Sequence, residues 1–320
     1  MGLKNNMRFY AGQVSSRLDD PMKELSEKTK FNIRQEAVML GEEFKSAGVK
    51  TKLVKKLTVD DFKQLVSYLI SKGDSAGTIE NKATSIRQIS KEAGNIALVN
   101  VTNGEIGVPG RNGLNVDNEN FAAVISENSL KKLESGKYPE VAAALRLEAA
   151  YGLRREESAH VVFELTKGHV VTAPGKDNIL TMKGSWCKGG RQRGKITFNG
   201  RPNGELPLRD GGAVLKQVAA SVKGIKINYR LEQFERKINY AADKAKIWDG
   251  NPNIHPHALR HNYAHERYYE LTGLACPATG GLKYREMDPK QQKNYHSACL
   301  IIANELGHSR ETIVRTYIGK

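Results

Sequence analysis

The 320-residue chain is poor in cysteine, in long apolar runs and in acidic charge. Its three cysteines, Cys187, Cys276 and Cys299, form no CxxC pair, and an odd number cannot all pair within one chain. Free thiols are therefore expected, rather than a disulfide framework or a cysteine-based metal site. No apolar run nears the roughly 20 residues that span a bilayer, and the N-terminus has no apolar segment like that of a secretory signal. Met1-Gly2 is followed by Asn6 where a myristoylation signal carries Ser or Thr. These absences lead to the expectation of a cytoplasmic protein with no membrane partner. The shortage of acid is the informative one: 35 Asp and Glu stand against 50 Lys and Arg, a formal net charge of +15. Such a surface attracts polyanions and releases the counterions condensed on a phosphate backbone, which makes nucleic acid the leading partner. The excess is spread over the chain, with 18 basic against 13 acidic residues in 1–115 and 32 against 22 in 116–320.

What is present reads as mainly α with a small antiparallel β-sheet, an α+β chain long enough for two domains. Apolar positions recur at helical spacing over 21–47, 58–73 and 78–93, the second opened by Thr58-Val59-Asp60-Asp61 as a capping box. Residues 94–118 lose that periodicity and collect glycine and asparagine as a linker does. This places the domain boundary between a helical domain, 1–110, and a second domain, 111–320. Helical pattern returns over 129–133 and 139–151, then gives way to three short strand-like segments at 169–173, 179–182 and 195–198. It resumes over 213–222, 231–247, 257–271 and 298–305.

Four short motifs carry the chemistry. Gly152-Leu153-Arg154-Arg155-Glu156-Glu157 ends one helical stretch, and Trp186-Cys187-Lys188-Gly189-Gly190-Arg191-Gln192-Arg193 is a basic Gly-rich turn. His255-Pro256-His257-Ala258-Leu259-Arg260-His261 follows, and Leu306-Gly307-His308-Ser309 precedes Tyr317 by nine residues counted from the histidine. In this order they resemble the tyrosine recombinases, the phage-integrase family that cuts and rejoins DNA through a phosphotyrosine intermediate. The family pattern has an arginine after Gly-Leu, a hairpin lysine, a His-x-x-Arg box, a Leu-Gly-His and a tyrosine nine residues on. Arg154, Lys188, His257, Arg260, His308 and Tyr317 match it, and Glu157 matches an acidic position that orients the cations.

The resemblance implies a helical core-binding domain followed by a catalytic domain, acting on double-stranded DNA recombination sites. It also implies a homo-tetramer in the synaptic complex, accessory DNA-bending proteins as partners, and a nucleoid-associated location. A type IB topoisomerase and a DNA-binding relative without catalysis are the alternatives. Elementary chemistry supports the assignment. Arg154 and Arg260 offer planar, permanently charged forks to the non-bridging oxygens of a phosphodiester. Tyr317, whose reference pKa is about 10, needs neighbouring positive charge or a base in order to attack. Lys188 is the expected general acid for the leaving 5'-oxygen, with Lys183 and Lys195 as rivals. His257 and His308 would bond the phosphate or move protons.

The arginines take the place of a cation, so no cofactor and no metal is expected. His255, His257, His261 and His265 are spaced to share a helix face, but no cysteine or carboxylate completes a metal site, and His265-Glu266-Arg267-Tyr268-Tyr269 is no HExxH.

Two departures from the family pattern stand out. The stretch from Arg260 to Leu306 is long, and 273–294 reads as an inserted loop with Pro277, Gly280, Gly281 and Pro289. Only Ile318-Gly319-Lys320 follows Tyr317, too little for the tail that many relatives pack onto a neighbour. From that shortness Tyr317 is expected to be mobile until DNA and other subunits order it.

Overall fold

The computed structural model describes residues 2–14, 27–110, 120–190, 192–194, 203–248, 255–308 and 310–320. The chain divides into two compact units, Met1–Asn115 and Val116–Lys320.

The first unit is helical: α1 (Leu3–Gln13), α2 (Glu27–Ser46), α3 (Val59–Ser71), α4 (Ala76–Glu92) and α5 (Ile96–Asn100). Met7, Leu40, Phe44, Phe62, Leu65, Ile86 and Ile89 fill its core. Thr58 and Asp61 close the capping box at the start of α3, with the Asp61 N–H donating to Thr58 Oγ1 at 3.1 Å and the Thr58 N–H to Asp61 Oδ2 at 2.9 Å. The helix expected over 21–47 opens outside the described residues. No helix is expected at α1, whose buried stripe is only Leu3, Asn6, Met7 and Ala11. So narrow a stripe, with an asparagine in it, gives little periodic signal.

The second unit is built around α7 (Pro139–Tyr151), preceded by α6 (Glu127–Ser135) and followed by α8 (Arg155–Thr166). From Val141 to Leu145 every residue of α7 is wholly buried, as is Leu147. A helix buried on nearly every side is a central helix, and its burial fixes where it ends. A three-stranded antiparallel sheet comes next, in the order β1 (Thr172–Ala173), β2 (Lys176–Thr181), β3 (Glu205–Pro207), with Leu180 paired to Thr172 on one side and Leu206 on the other. The first two expected strands are found, shifted or shortened. The expected strand at 195–198 lies outside the described residues, and β3 comes from a stretch with a single buried side chain, Leu206, too short to show alternation.

Helices α9 (Ala213–Val222), α10 (Leu231–Lys244), α11 (His257–Thr272), α12 (Pro289–Glu305) and α13 (Arg315–Ile318) complete the unit. The excursion at 273–294 is only partly a loop. It holds two 3-10 turns, Pro277–Thr279 and Tyr284–Glu286, and its last residues already belong to α12. Pro289 is the first residue of that helix, where its missing N–H costs nothing. Asp288 caps it, accepting from the Gln291 N–H at 2.8 Å. Pro289 therefore opens a helix and is not part of a loop. Among the described residues no helix is long and apolar enough to cross a membrane.

Candidate active site

The site forms where the ends of α7 and α12 meet α11. Helix α7 stops at Gly152, whose left-handed backbone (φ 57°) turns the chain toward Arg154. A β-carbon there would stand 2.7 Å from Tyr263 Cδ1 and 2.8 Å from Leu306 Cδ2, so both conformation and space require glycine. Arg154 is the N-cap of α8, and its own N–H is held by Glu157 Oε2 at 2.6 Å. Its guanidinium donates from Nη1 to Glu157 Oε1 at 2.8 Å, and its side chain keeps 20% of its surface open.

Glu157 is wholly buried. Burial pushes its carboxyl up, but Arg193, Arg154 and Arg260 outweigh that and hold it at about 2. Arg193, the last residue of the basic turn, is also wholly buried and pairs with Glu157. It donates further from Nη1 to the Glu305 carbonyl at 2.7 Å and from Nη2 to the Gly152 carbonyl at 3.1 Å. No role was expected of Arg193 beyond the turn, since a guanidinium reads as surface until its carbonyl partners are known.

Arg260 sits under the site with 1% of its surface exposed. Nη1 donates to the Gly152 carbonyl at 2.5 Å, Nη2 to the Leu306 carbonyl and to His308 Nε2 at 3.1 Å, and Nε to the Tyr317 hydroxyl at 3.2 Å. A guanidinium has five N–H groups, so one Nη1 hydrogen is not used by these partners. Helix α12 delivers the last of the four motifs. Arg267 Nη2 grips Glu305 Oε1 at 2.9 Å, Tyr263 donates to Glu305 Oε2 at 2.8 Å, and the left-handed Gly307 then turns His308 inward.

His308 Nε2 also lies 3.1 Å from the Tyr317 hydroxyl. Arg260 can only donate, so His308 Nε2 is an acceptor and its ring is the neutral tautomer with its proton on Nδ1. The Tyr317 oxygen accepts from Arg260 Nε and can donate to His308 Nε2, whose single lone pair it shares with Arg260 Nη2. Burial, followed by the charges of Arg260, Arg154 and Arg193, pushes His308 down to about 3. His257 keeps an exposed edge, yet burial of the rest of the ring and the charges of Arg260, Arg154 and Lys188 push it down to about 4. Its ring centroid is 5.8 Å from that of Tyr317. His261 packs closer, at 4.8 Å. His265 donates from Nε2 to the Tyr317 carbonyl at 2.7 Å.

Tyr317 is therefore not the mobile residue expected from its short tail. It is 6% exposed, with its hydroxyl on Arg260 and His308, its carbonyl on His265 and Ile318 wholly buried after it. Side-chain hydrogen bonds and one buried isoleucine hold it in place.

Lys188 lies in a 3-10 turn, Lys188–Gly190, and is exposed. The turn stands on Trp186, which stacks on His160 at 5.5 Å and 9° between planes. Lys183 is engaged elsewhere, over the Trp186 ring at 5.1 Å, and Lys195 lies outside the described residues. The structure thus brings Arg154, Glu157, His257, Arg260, His308 and Tyr317 together, with Lys188 at the rim, close enough for its charge to act on His257. Among the described residues no group of three or more His, Cys, Asp or Glu is placed to hold a metal ion. The histidine face of α11 is turned to Tyr317 instead.

No family model and no curated protein matches the chain. Solved structures of the Tn1549 transposon integrase do. The integrase in complex with circular intermediate DNA covers 100% of this chain with 96% of its own, at TM-score 0.48 and 16% identity. A variant with transposon right end DNA covers 99% with 94%, at TM-score 0.49 and 15% identity. A second variant with a circular intermediate DNA covers 100% with 95%, at TM-score 0.50 and 16% identity. The chain has the fold of that integrase. At 16% identity the likeness is one of fold, helices around a small three-stranded antiparallel sheet, and the chemistry rests on the side chains of this chain.

Proposed function

We propose that this chain is a tyrosine-type site-specific DNA recombinase, an integrase of a mobile element that cleaves and rejoins strands through a 3'-phosphotyrosine. The observation that carries the reading is the Tyr317 hydroxyl held between Arg260 Nε and His308 Nε2. One neighbour stabilises a phenolate and the other accepts its proton.

In the step this implies, the Tyr317 oxygen attacks the scissile phosphorus and its proton passes to His308 Nε2, from which the Arg260 Nη2 hydrogen turns away to the phosphate. The bond to the 5'-oxygen breaks, and Lys188 Nζ gives that oxygen a proton. The exposed donors of Arg154 and the remaining Nη1 hydrogen of Arg260 take the non-bridging oxygens, a contribution of roughly 3–4 kcal/mol per well-placed donor. Attack of a 5'-hydroxyl on the phosphotyrosine reverses the sequence and reseals DNA. The phosphate also activates its own base. Burial depresses His308 most, and the negative charge of the phosphate offsets the three guanidiniums that add to it, so proton acceptance improves once DNA is bound.

The same reading makes 1–110 a DNA-binding domain and 111–320 the catalytic one, and makes the working species a homo-tetramer on two recombination sites. The basic excess in both parts of the sequence supports it. A duplex nicked so that the short fragment beside the cleaved phosphate diffuses away traps the covalent adduct. Wild type should accumulate it and Tyr317→Phe should not; a wild-type protein that binds DNA and forms no adduct on any of a pool of duplexes overturns the reading. A plasmid with two target sites, scored for recombinants against topoisomers, separates recombinase from relaxing enzyme.

A further inference from the structure

Helix α13 has only four residues, Arg315–Ile318, too few to be stable by itself. Its last carbonyls have no partner within the helix and must find one outside it. His265 supplies one to the residue that matters most: its Nε2 donates to the Tyr317 carbonyl at 2.7 Å. A carbonyl only accepts, so the proton is on Nε2 and the other ring nitrogen faces away from α13. Behind the ring stands Cys276, wholly buried and in contact with it through the thiol. Cys276 opens a tight turn. Its carbonyl accepts from the Thr279 N–H at 2.9 Å and the Gly281 N–H at 3.0 Å, and its sulfur lies 3.4 Å from Thr279 Oγ1. Pro277 and Ala278 of that turn are buried, and Ala278 shares a core cluster with Tyr317 and Ile318. The excursion after α11 thus packs under the nucleophile's helix.

We propose that His265 is a positioning residue for Tyr317, holding the nucleophile's main chain through Nε2 while the Cys276–Gly281 turn fixes the imidazole from behind. The proposal rests on the reading of Tyr317 as the nucleophile. The long stretch between Arg260 and Leu306 thereby acquires a role, as the support on which the nucleophile's helix rests. His265 lies two helical turns beyond His257, on the same face of α11. The hydroxyl and the carbonyl of one tyrosine are therefore served by a single helix, through Arg260 and His265. A rotation of α13 that moved the hydroxyl would have to break the His265 bond.

His265→Leu removes the donor and keeps bulk, whereas His265→Gln keeps an N–H that can reach the carbonyl. Single-turnover cleavage of the nicked duplex should fall roughly 100-fold in His265→Leu, the scale of a misplaced reacting group. DNA affinity should not change, and His265→Gln should restore the rate to within about tenfold. In the DNA-free protein, amide exchange over 311–320 should quicken in His265→Leu and not in His265→Gln.

Cleavage at the wild-type rate in His265→Leu overturns the proposal, as does equal loss in the two variants, which would mark the ring as packing alone. Absence of adduct in wild type sinks the functional reading instead, and exchange over 311–320 then decides whether His265 docks the segment. Should His265→Leu not fold, Cys276→Ala carries the test. Slower cleavage with faster exchange at 311–320 supports the proposal, and wild-type values of both overturn it.

Discussion

Glu157 and Arg193, each without accessible surface, are ion-paired beneath the proposed phosphate site. The same carboxylate holds Arg154, and it sets a negative charge among Arg154, Arg193 and Arg260. Removing one partner of a buried pair strands the other. Glu157→Gln should therefore cost about 3–5 kcal/mol, measured as urea unfolding followed by tryptophan fluorescence. Both tryptophans, Trp186 and Trp248, lie in 116–320, so the signal reports that unit alone. The sign with pH follows from a folded pKa of about 2 against an ordinary 4.5. The contribution is complete above 4.5 and is lost as pH falls toward 2. An unchanged midpoint in Glu157→Gln would show the pair to be neutral.

Glu148 behaves in the opposite sense. It is wholly buried, and desolvation raises its carboxyl to about 8 despite a 2.7 Å bond from Ser158 Oγ. A raised carboxyl pKa means that the folded state prefers the proton. Stability should therefore decline as pH climbs from about 4.5 to about 8. Glu148→Gln keeps the acceptor and removes the titration. Its melting temperature should exceed wild type by at least ~3 °C at pH 8, with little difference at pH 5. Parallel pH curves for the two proteins would exclude Glu148 as the cause.

His257 and His308 are held at about 4 and about 3. An ordinary histidine base loses activity on acidification through 6.5. Here kcat/KM for strand cleavage should stay flat from about pH 8 down to about pH 5, because that ratio reports the free enzyme. A drop centred near pH 6.5 in wild type, absent from His308→Ala, would contradict the neutral, depressed His308. His308→Ala itself should slow cleavage by roughly 10² to 10⁴.

Gly152→Ala tests the turn that aims Arg154. The left-handed backbone and the contacts at 2.7 and 2.8 Å with Tyr263 and Leu306 both oppose a β-carbon. Destabilisation of at least ~2 kcal/mol is expected, with cleavage falling further than stability alone explains. Arg154→Lys, which leaves the turn intact, should lose cleavage while its unfolding midpoint stays near wild type.

The residues show where sequence reasoning reaches and where it stops. Helix α9 matches its expected span, 213–222, and α7 its span of 139–151, because apolar periodicity and a terminal glycine are local signals. The six matched motif residues were legible from order and spacing, and the fold brings five of them into one cluster with Lys188 at its rim. Arg193 and His265 were not legible. Each is defined by a main-chain carbonyl more than 40 positions away, Gly152 for one and Tyr317 for the other, and no spacing encodes such a partner. The docking of Tyr317 was missed for the same reason. Chain length after a residue says how many neighbours follow it, whereas its order depends on those that face it.

Arg260 and Arg193 together occupy the carbonyls of Gly152, Glu305 and Leu306, which would otherwise lie buried and unpaired. Both guanidiniums are thus mortar between the motif-bearing segments, so a change at either one costs folding before it costs chemistry. On the proposed function, a relative that binds DNA without cutting it would lose Tyr317 or His308 before either buried arginine. On that reading, intact arginines in a relative are no sign of a working enzyme, and the fate of the tyrosine is.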